Sequence, residues 1–296
     1  MCGRYAASRG AEDLVRLFEV EKWEPEEAPA PDWNVAPTKQ VHAVLERPLK
    51  GSGDPRPVRQ LRPLKWGLVP GWAKSPDMGV KMINARAETV HEKPAYRRPF
   101  VARRCLLPAD GYYEWVTAEG ELKLEQEGKR KRPRKQPYFI SPAGPAAGSG
   151  SAADSAARGG SGAEGESPVM AMAGLYEFWR DTTLPDDHPR AWWATCTVIT
   201  TAAETTPLAN ADQLAEGGPG SLADIHPRMP LMLTPDRWDA WLDPSHTDPG
   251  TLRELLTPPP AGMMRAHPVS TDVSNVRNNG PHLLKELPAP EEETLF

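Results

Sequence analysis

Apolar and polar positions along the chain fall into two unequal patterns. Short alternating or continuously apolar runs dominate: VHAVLE (41–46), RCLLPA (104–109), YYEWV (112–116), PYFI (137–140), VMAMAGLYEFW (169–179) and ATCTVIT (194–200). They are rich in β-branched or aromatic residues and bounded by Pro, Gly or charge, which predicts strands. A helical period is rarer. Ser8 to Phe18 brings Leu14, Val15 and Phe18 to one side of a short helix, and Pro235 to Leu242 predicts another. The order shows no βαβ alternation and no glycine-rich phosphate loop, which weighs against a Rossmann or P-loop design. The expectation is an α+β fold in which curved, mostly antiparallel β-sheets form a barrel-like core with a few short helices.

Two stretches break this pattern. Residues 141–168, SPAGPAAGSGSAADSAARGGSGAEGESP, hold no aromatic and no large aliphatic side chain. They bury too little surface to offset their ordering entropy and read as a flexible insert. It is expected at a hairpin connection between PYFI and VMAMAG, where added length costs little. AEGELKLEQEGKRKRPRKQ, from Ala118 to Gln136, is dense in charge and ends in a basic block. That pattern reads as a solvated hairpin tip, with a nucleic-acid contact as the alternative. Without these stretches the chain fits a single domain, 1–296.

Composition narrows the picture further. Cys2, Cys105 and Cys196 form an odd, sparse set without a CxxC pair, and no apolar stretch resembles a signal peptide or a membrane span. The reading is a reduced, cytoplasmic protein with no disulfide framework, no metal site and no cofactor. A net charge of −5 argues against indiscriminate polyanion binding but leaves room for a local basic cleft. The ten tryptophans lie outside the inserts and indicate a well-buried body or an aromatic binding surface.

The opening MCGRYAAS carries the most distinctive chemistry. Removal of Met1 would leave Cys2 with a free α-amine, of reference pKa about 7.7 to 8.0, beside its thiol. The amine can attack an aldehyde to give a Schiff base, which the thiol then closes to a thiazolidine. Alternatively the thiol attacks and the amine serves as its base, as in N-terminal nucleophile hydrolases. Arg4, two residues on, would share a face with Cys2 in an extended strand and hold a phosphate there, or form a structural ion pair.

Other segments offer partners. NVAPT (34–38) and WGLVPGW (66–72) are rigid loops suited to wedging against bases or to plugging the core. MINARAET (82–89) sets Asn84, Arg86 and Glu88 on one face, either a polar site or a solvated edge strand. In PADGYYEWV, Asp110 and Gly111 signal a turn, and Glu114 lies between Tyr113 and Trp115. Rings on either side would desolvate that carboxylate and suit it to acid–base work; the alternative is an outward glutamate. In DIHPRMPLML, His226 can shuttle protons and Arg228 can take a phosphate, or the histidine can satisfy backbone groups at a strand entry.

Taken in order, MCGRY, WNVAPT, WGLVPGW, INARAET, RRPFVARRCLLPADGYYEW, VITTAA, DIHPRMP and HPVSTDVSNVRNNG resemble the SRAP family. These are the SOS response associated peptidase-like proteins that shield abasic sites in single-stranded DNA. The resemblance implies the SRAP fold and makes Cys2 the residue that joins the ring-opened abasic aldehyde as a thiazolidine. Asn84, Glu114 and His226 match the family's active-site asparagine, glutamate and histidine. Arg4, Arg86 and Arg228 match its phosphate contacts, and Asn34, Pro37, Trp72 and Thr200 the lining of its DNA groove. Against the compact family pattern the chain carries inserts at 117–135, 141–168, 181–191 and 204–221. The implied partner is single-stranded DNA containing abasic sites, engaged by a monomer at the nucleoid, with lyase-like or self-processing peptidase activity alongside and no membrane.

Two other functions compete. Glutamine amidotransferase domains also begin Met-Cys-Gly and use the cysteine for amide hydrolysis, but no synthase-like segment follows here. A single-strand DNA-binding module with an incidental Cys2 would keep the fold and lose the chemistry.

Overall fold

The computed structural model describes residues 2–49, 51, 53–117, 134–144, 168–185, 187–188, 190–214 and 218–288. Its strands begin with β1 (Tyr5–Ala7), β2 (Asp32–Val35), β3 (Gln40–Pro48), β4 (Pro57–Trp66), β5 (Asn84–Arg86) and β6 (Arg104–Ala109). They continue with β7 (Gly111–Thr117), β8 (Lys135–Pro142), β9 (Met170–Arg180), β10 (Trp192–Ala202), β11 (Arg228–Pro230) and β12 (Met264–Pro268). Between them lie short helices α1 (Ala11–Leu17), α2 (Arg97–Ala102), α3 (Leu222–Ile225), α4 (Pro235–Leu242) and α5 (Pro249–Glu254). No helix among the described residues is long and apolar enough to cross a membrane.

The larger sheet closes on itself. β4 pairs with β3, β3 with β6, β6 with β9 and β9 with β10, all antiparallel. β10 then returns to β4 in parallel through Thr195↔Lys65 and Cys196↔Trp66, so five strands make a barrel without an open edge along that seam. Farther along, β10 carries β5 in parallel and β11 antiparallel. The second sheet, in the order β12-β8-β7-β1-β2, is antiparallel throughout.

Strand alternation divides the apolar residues between two cores. Val41, Ala43, Leu45, Leu64, Trp66, Cys105, Leu107, Met172, Tyr176, Cys196 and Val198 fill the barrel. Tyr5, Val35, Tyr112, Ile140 and Met264 of the second sheet cap the same cluster. The alternate residues Val44, Leu61, Leu106, Ala173, Leu175 and Ile199 pack with Leu14 and Phe18 at α1, Phe100 of α2, Trp241 of α4 and Leu252 of α5. β6 is therefore buried on both faces, which explains why RCLLPA shows no polar alternation.

One cation in this wall is fully enclosed. Arg104 donates from its guanidinium to the backbone carbonyls of Phe100, Val101, Trp241, Asp243 and His246. Four of these are carbonyls at the C-terminal ends of α2 and α4, groups a helix leaves without intrahelical partners, and His246 O comes from the loop after α4. Burial pushes Arg104 down to about 10, so it remains charged at neutral pH.

The Asp110–Gly111 signal marks a corner, not a hairpin: β6 belongs to the barrel and β7 to the second sheet. Asp110 accepts from the Ser8 N–H at 2.6 Å, and a Cβ at Gly111 would fall 2.5 Å from the Ile140 carbonyl oxygen. The connection after PYFI also departs from expectation. β8 pairs with β7 and β12 whereas β9 pairs with β6 and β10, so these two strands belong to different sheets and are not partners in a hairpin. β7 and β8 do pair as a hairpin, from Tyr112↔Ile140 to Thr117↔Lys135. Most of the two insert readings, at 118–133 and 145–167, lies outside the described residues.

Residues 181–191 form the turn of the β9–β10 hairpin, with the Asp181 N–H donating to Ala191 O at 2.7 Å. Within the stretch 204–221, expected as an insert, the described residues include contacts to the core and to β12. Leu208 is buried in the barrel-side core, and the Asn210 amide exchanges two hydrogen bonds with the Ala266 backbone of β12. An apolar anchor and a paired amide hold that segment to the sheet.

Candidate active site

Cys2 lies at the mouth of the barrel beneath the second sheet, fully buried in one cluster with Tyr5, Trp66 and Tyr112. The Tyr5 and Trp66 rings meet edge to face at 5.1 Å, which fixes the start of β1 over the mouth. Asn84 opens β5 and is held by the pairing Val198↔Asn84. Its Nδ2 donates to the Cys2 carbonyl at 2.8 Å, and the Tyr96 hydroxyl donates to the Asn84 carbonyl at 3.1 Å. Asn84 Oδ1 is buried and accepts no hydrogen bond among the described residues.

Glu114 stands beside this group on β7. The pairing Tyr5↔Tyr112 and the Tyr113 N–H donating to Arg4 O carry β7 past the residues just after Cys2. Tyr112 faces the barrel core and Tyr113 the opposite face, so alternation turns Glu114 toward Cys2. Burial raises its carboxyl from 4.5 to about 7, against the pull of the chain's α-amino charge and Lys135. Burial pushes the Cys2 thiol far up, and the Glu114 charge adds to that shift. A buried thiol of this kind is not a thiolate near neutrality.

His226 follows α3. Its Nδ1 lies 3.0 Å from the Arg228 backbone N and 3.1 Å from the Arg228 carbonyl oxygen. An N–H can only donate, so the neutral ring accepts at Nδ1 and carries its proton on Nε2. Desolvation, then the α-amino charge, lowers the affinity of His226 for a second proton.

The residues expected along a DNA groove divide into buried and exposed sets. Arg4 does not share a face with Cys2: β1 starts only at Tyr5, so strand alternation does not extend back to residue 2. Instead Arg4 lies 5.7 Å over the Trp115 ring and donates to Asn34 Oδ1 (2.7 Å) and Val273 O (2.8 Å). Asn34 is itself fully buried, and its Nδ2 donates to the carbonyls of Val273, Asn275 and Asn278. Thr200 is also buried, with its hydroxyl toward Ala85 O at 3.4 Å. Arg228 makes a two-pronged contact with Glu88 (2.6 and 2.9 Å) and reaches Thr200 O. Pro37 is half-buried, Arg86 is exposed at the end of β5, and Trp72 is 61% exposed. The Trp72 loop is pinned by Trp179, whose indole N–H donates to Ala73 O at 2.7 Å.

Tyr96 escaped sequence reasoning, and the contacts of two segments it did single out were not foreseen. Tyr96 supports Asn84 from a turn that carries no strand or helix signal. Glu88 was visible as a polar position, but its pairing with a residue 140 positions away was not. The Asn-rich stretch from Val273 to Asn278 closes over Asn34, and its cluster of turn-forming asparagines was the available signal.

Comparison with known proteins shows the family. The family model described as SOS response associated peptidase (SRAP) matches residues 1–276. The abasic site processing protein YoqW of Bacillus subtilis is 34% identical over 96% of this chain and 99% of its own length. The chicken abasic site processing protein HMCES is 30% identical over 99% of this chain and 80% of its own. A crystal structure of a Bacteroides thetaiotaomicron protein superposes with a TM-score of 0.65 at 21% identity, covering 97% of this chain and all of that one, a likeness of fold. A cysteine buried at the barrel mouth, with Asn84 on its carbonyl and Glu114 beside it, accompanies a family match along nearly the whole chain, and the protein belongs to the SRAP family.

Proposed function

We propose that this protein captures abasic sites in single-stranded DNA by forming a thiazolidine between Cys2, freed of Met1, and the ring-opened sugar aldehyde. The observation that carries the reading is the convergence of Asn84 and Glu114 on Cys2, with Glu114 raised to about 7. The names of the relatives, abasic site processing proteins, point to the same substrate.

The chemistry follows from which nucleophile is available. With the thiol pushed up by burial, the α-amine attacks first. Its nitrogen bonds to the aldehyde carbon to give a carbinolamine, which loses water to an iminium, with Glu114 in its acid form supplying the proton to the departing oxygen. The thiol sulfur then adds to the iminium carbon, and its proton passes to the Glu114 carboxylate. The net change is amine, thiol and aldehyde to thiazolidine and water. Asn84 orients the Cys2 carbonyl through its 2.8 Å bond, and the Nε2 proton of neutral His226 serves the sugar oxygen in opening and in reversal. Closing the ring removes the iminium that would otherwise drive β-elimination and strand cleavage.

Phosphates on either side would meet the exposed Arg86 and, once drawn from Glu88, Arg228. Arg4 and Asn34 would act from behind by holding the 273–278 stretch, and Thr200 by holding Arg228. Pro37 and Trp72 would contact bases. Amide hydrolysis is the weaker reading because it requires a thiolate at a position where burial opposes one.

Intact mass after incubation with a uracil-containing oligonucleotide treated with uracil glycosylase tests the proposal. The expected product is the chain without Met1 plus the oligonucleotide minus one water, absent in Cys2→Ala. Retained Met1, no adduct, or an adduct that survives Cys2→Ala would overturn it.

A further inference from the structure

At the end of the barrel away from Cys2, the inward-facing positions change character. Leu45, Cys105 and Tyr176 lie inside; at this end Arg47 on β3 and Phe178 on β9 continue the alternation, and Arg103 stands just before β6. On β4 the exposed Arg62 lies two residues before the inward Leu64. The Arg47 guanidinium stacks 4.8 Å from the Phe178 ring centre and that of Arg103 lies 6.0 Å away. Tyr176 meets Phe178 edge to face at 5.7 Å and floors the mouth. Gln60 ties the rim together: its amide donates to Arg47 O at 2.8 Å, and its Oε1 faces Arg62 Nη1 at 3.4 Å.

The charge here is only partly compensated. Arg103 pairs with Glu177. Among the described residues Arg47 and Arg62 form no ion pair, and Glu24, the carboxylate that feels Arg62, is itself held by Lys22 at 2.7 Å. Trp192, the first residue of β10 and 58% exposed, stands at this same end. Two guanidiniums without an ion pair among the described residues, together with the exposed Trp192, run against the chain's net charge of −5.

We propose that this distal mouth is a second binding site for single-stranded nucleic acid, separate from the amino-terminal site. Arg47 and Arg62 take phosphates and Trp192 stacks a base, the combination single strands require. Trp192 and Val198, which pairs with Asn84, are six residues apart on β10, roughly 20 Å of strand. The site would hold strand flanking the captured lesion and needs no covalent chemistry. An acidic peptide would satisfy the arginines but leaves Trp192 without a planar partner.

The double variant Arg47→Gln/Arg62→Gln tests this by fluorescence anisotropy with labelled dT20 across a salt series. The expected result is a Kd weakened about tenfold at low salt and a log K against log salt slope shallower by about 1.4, two phosphates at ~0.7 each. Trp192→Ala, an exposed site, is expected to weaken dT20 binding severalfold with the slope unchanged. Adduct formation with a three-nucleotide abasic oligonucleotide, read by mass on the same samples, is expected to stay at the wild-type level. Unchanged Kd and slope in the double variant, or competition by polyglutamate equal to that by unlabelled dT20, overturns the inference. Because the trimer adduct is scored separately, loss of either finding leaves the other intact.

Discussion

Arg104 and Asn84 are both polar residues at the wall of one barrel, and they are treated in opposite ways. The Arg104 guanidinium is surrounded by five backbone carbonyls, four of them left open by two helix ends. Asn84 uses its amide nitrogen on Cys2 and keeps a buried oxygen with no donor among the described residues. Next to it Glu114 is held near neutrality between its two protonation states. At Arg104 the hydrogen-bonding capacity is filled by the fold, whereas Asn84 keeps an acceptor that the proposed chemistry would use for substrate.

The largest expected effect breaks the filled side of that comparison. Arg104→Met strands several helix-end carbonyls, and stability should fall by about 4 kcal/mol, a drop in Tm of ~10 °C in thermal denaturation. Adduct formation at a temperature where the variant remains folded should be near wild type.

Glu114→Gln tests the other side. Cross-linking should slow ~100-fold, about 2.7 kcal/mol of barrel-mouth catalysis, measured by adduct appearance on denaturing gels. The pH dependence has a definite sign. Between 4.5, the ordinary value, and about 7 the folded protein holds a proton at Glu114 that the unfolded chain releases. Stability therefore decreases as pH rises across that window, and Glu114→Gln should flatten the slope in Tm against pH.

The smallest effect concerns Glu88, which occupies Arg228. Glu88→Gln removes a half-exposed ion pair and should cost under ~1 kcal/mol of stability. It should tighten non-covalent binding of an oligonucleotide without abasic sites by roughly threefold, since Arg228 no longer has to leave a carboxylate.

Legibility in the sequence was uneven for identifiable reasons. RCLLPA and Pro235 to Leu242 were readable because local pattern and burial agree: one is apolar on both faces, the other begins at a proline and buries Trp241. β4 was hidden. In PVRQLRPLKW two prolines and three cations mask a strand whose Leu64 and Trp66 fill the barrel and which pairs with β3 along its whole length. Glu114 shows a correct conclusion with a different cause. Tyr113, its neighbour in sequence, lies on the opposite face, and the carboxylate is desolvated by the core around Tyr112 and Cys2. Arg4 misled for a related reason, because period-two alternation holds only inside a strand.

From the sequence come the expectation of mostly short strands about a shared core and, through the family resemblance, the expectation that Cys2, Asn84, Glu114 and His226 carry chemistry. The first rests on local pattern and residue type and the second on motifs matched in order, and neither needs knowledge of distant contacts. Only the tertiary structure decided that five strands close into a barrel, that β6 and β7 part at Gly111 into different sheets, and that Arg228 rests on Glu88. It also decided that Cys2 is sealed at one mouth while Arg47 and Arg62 gather at the other. Each of those depends on pairing between residues far apart in the chain, and a one-residue change of register would send every side chain to the other face.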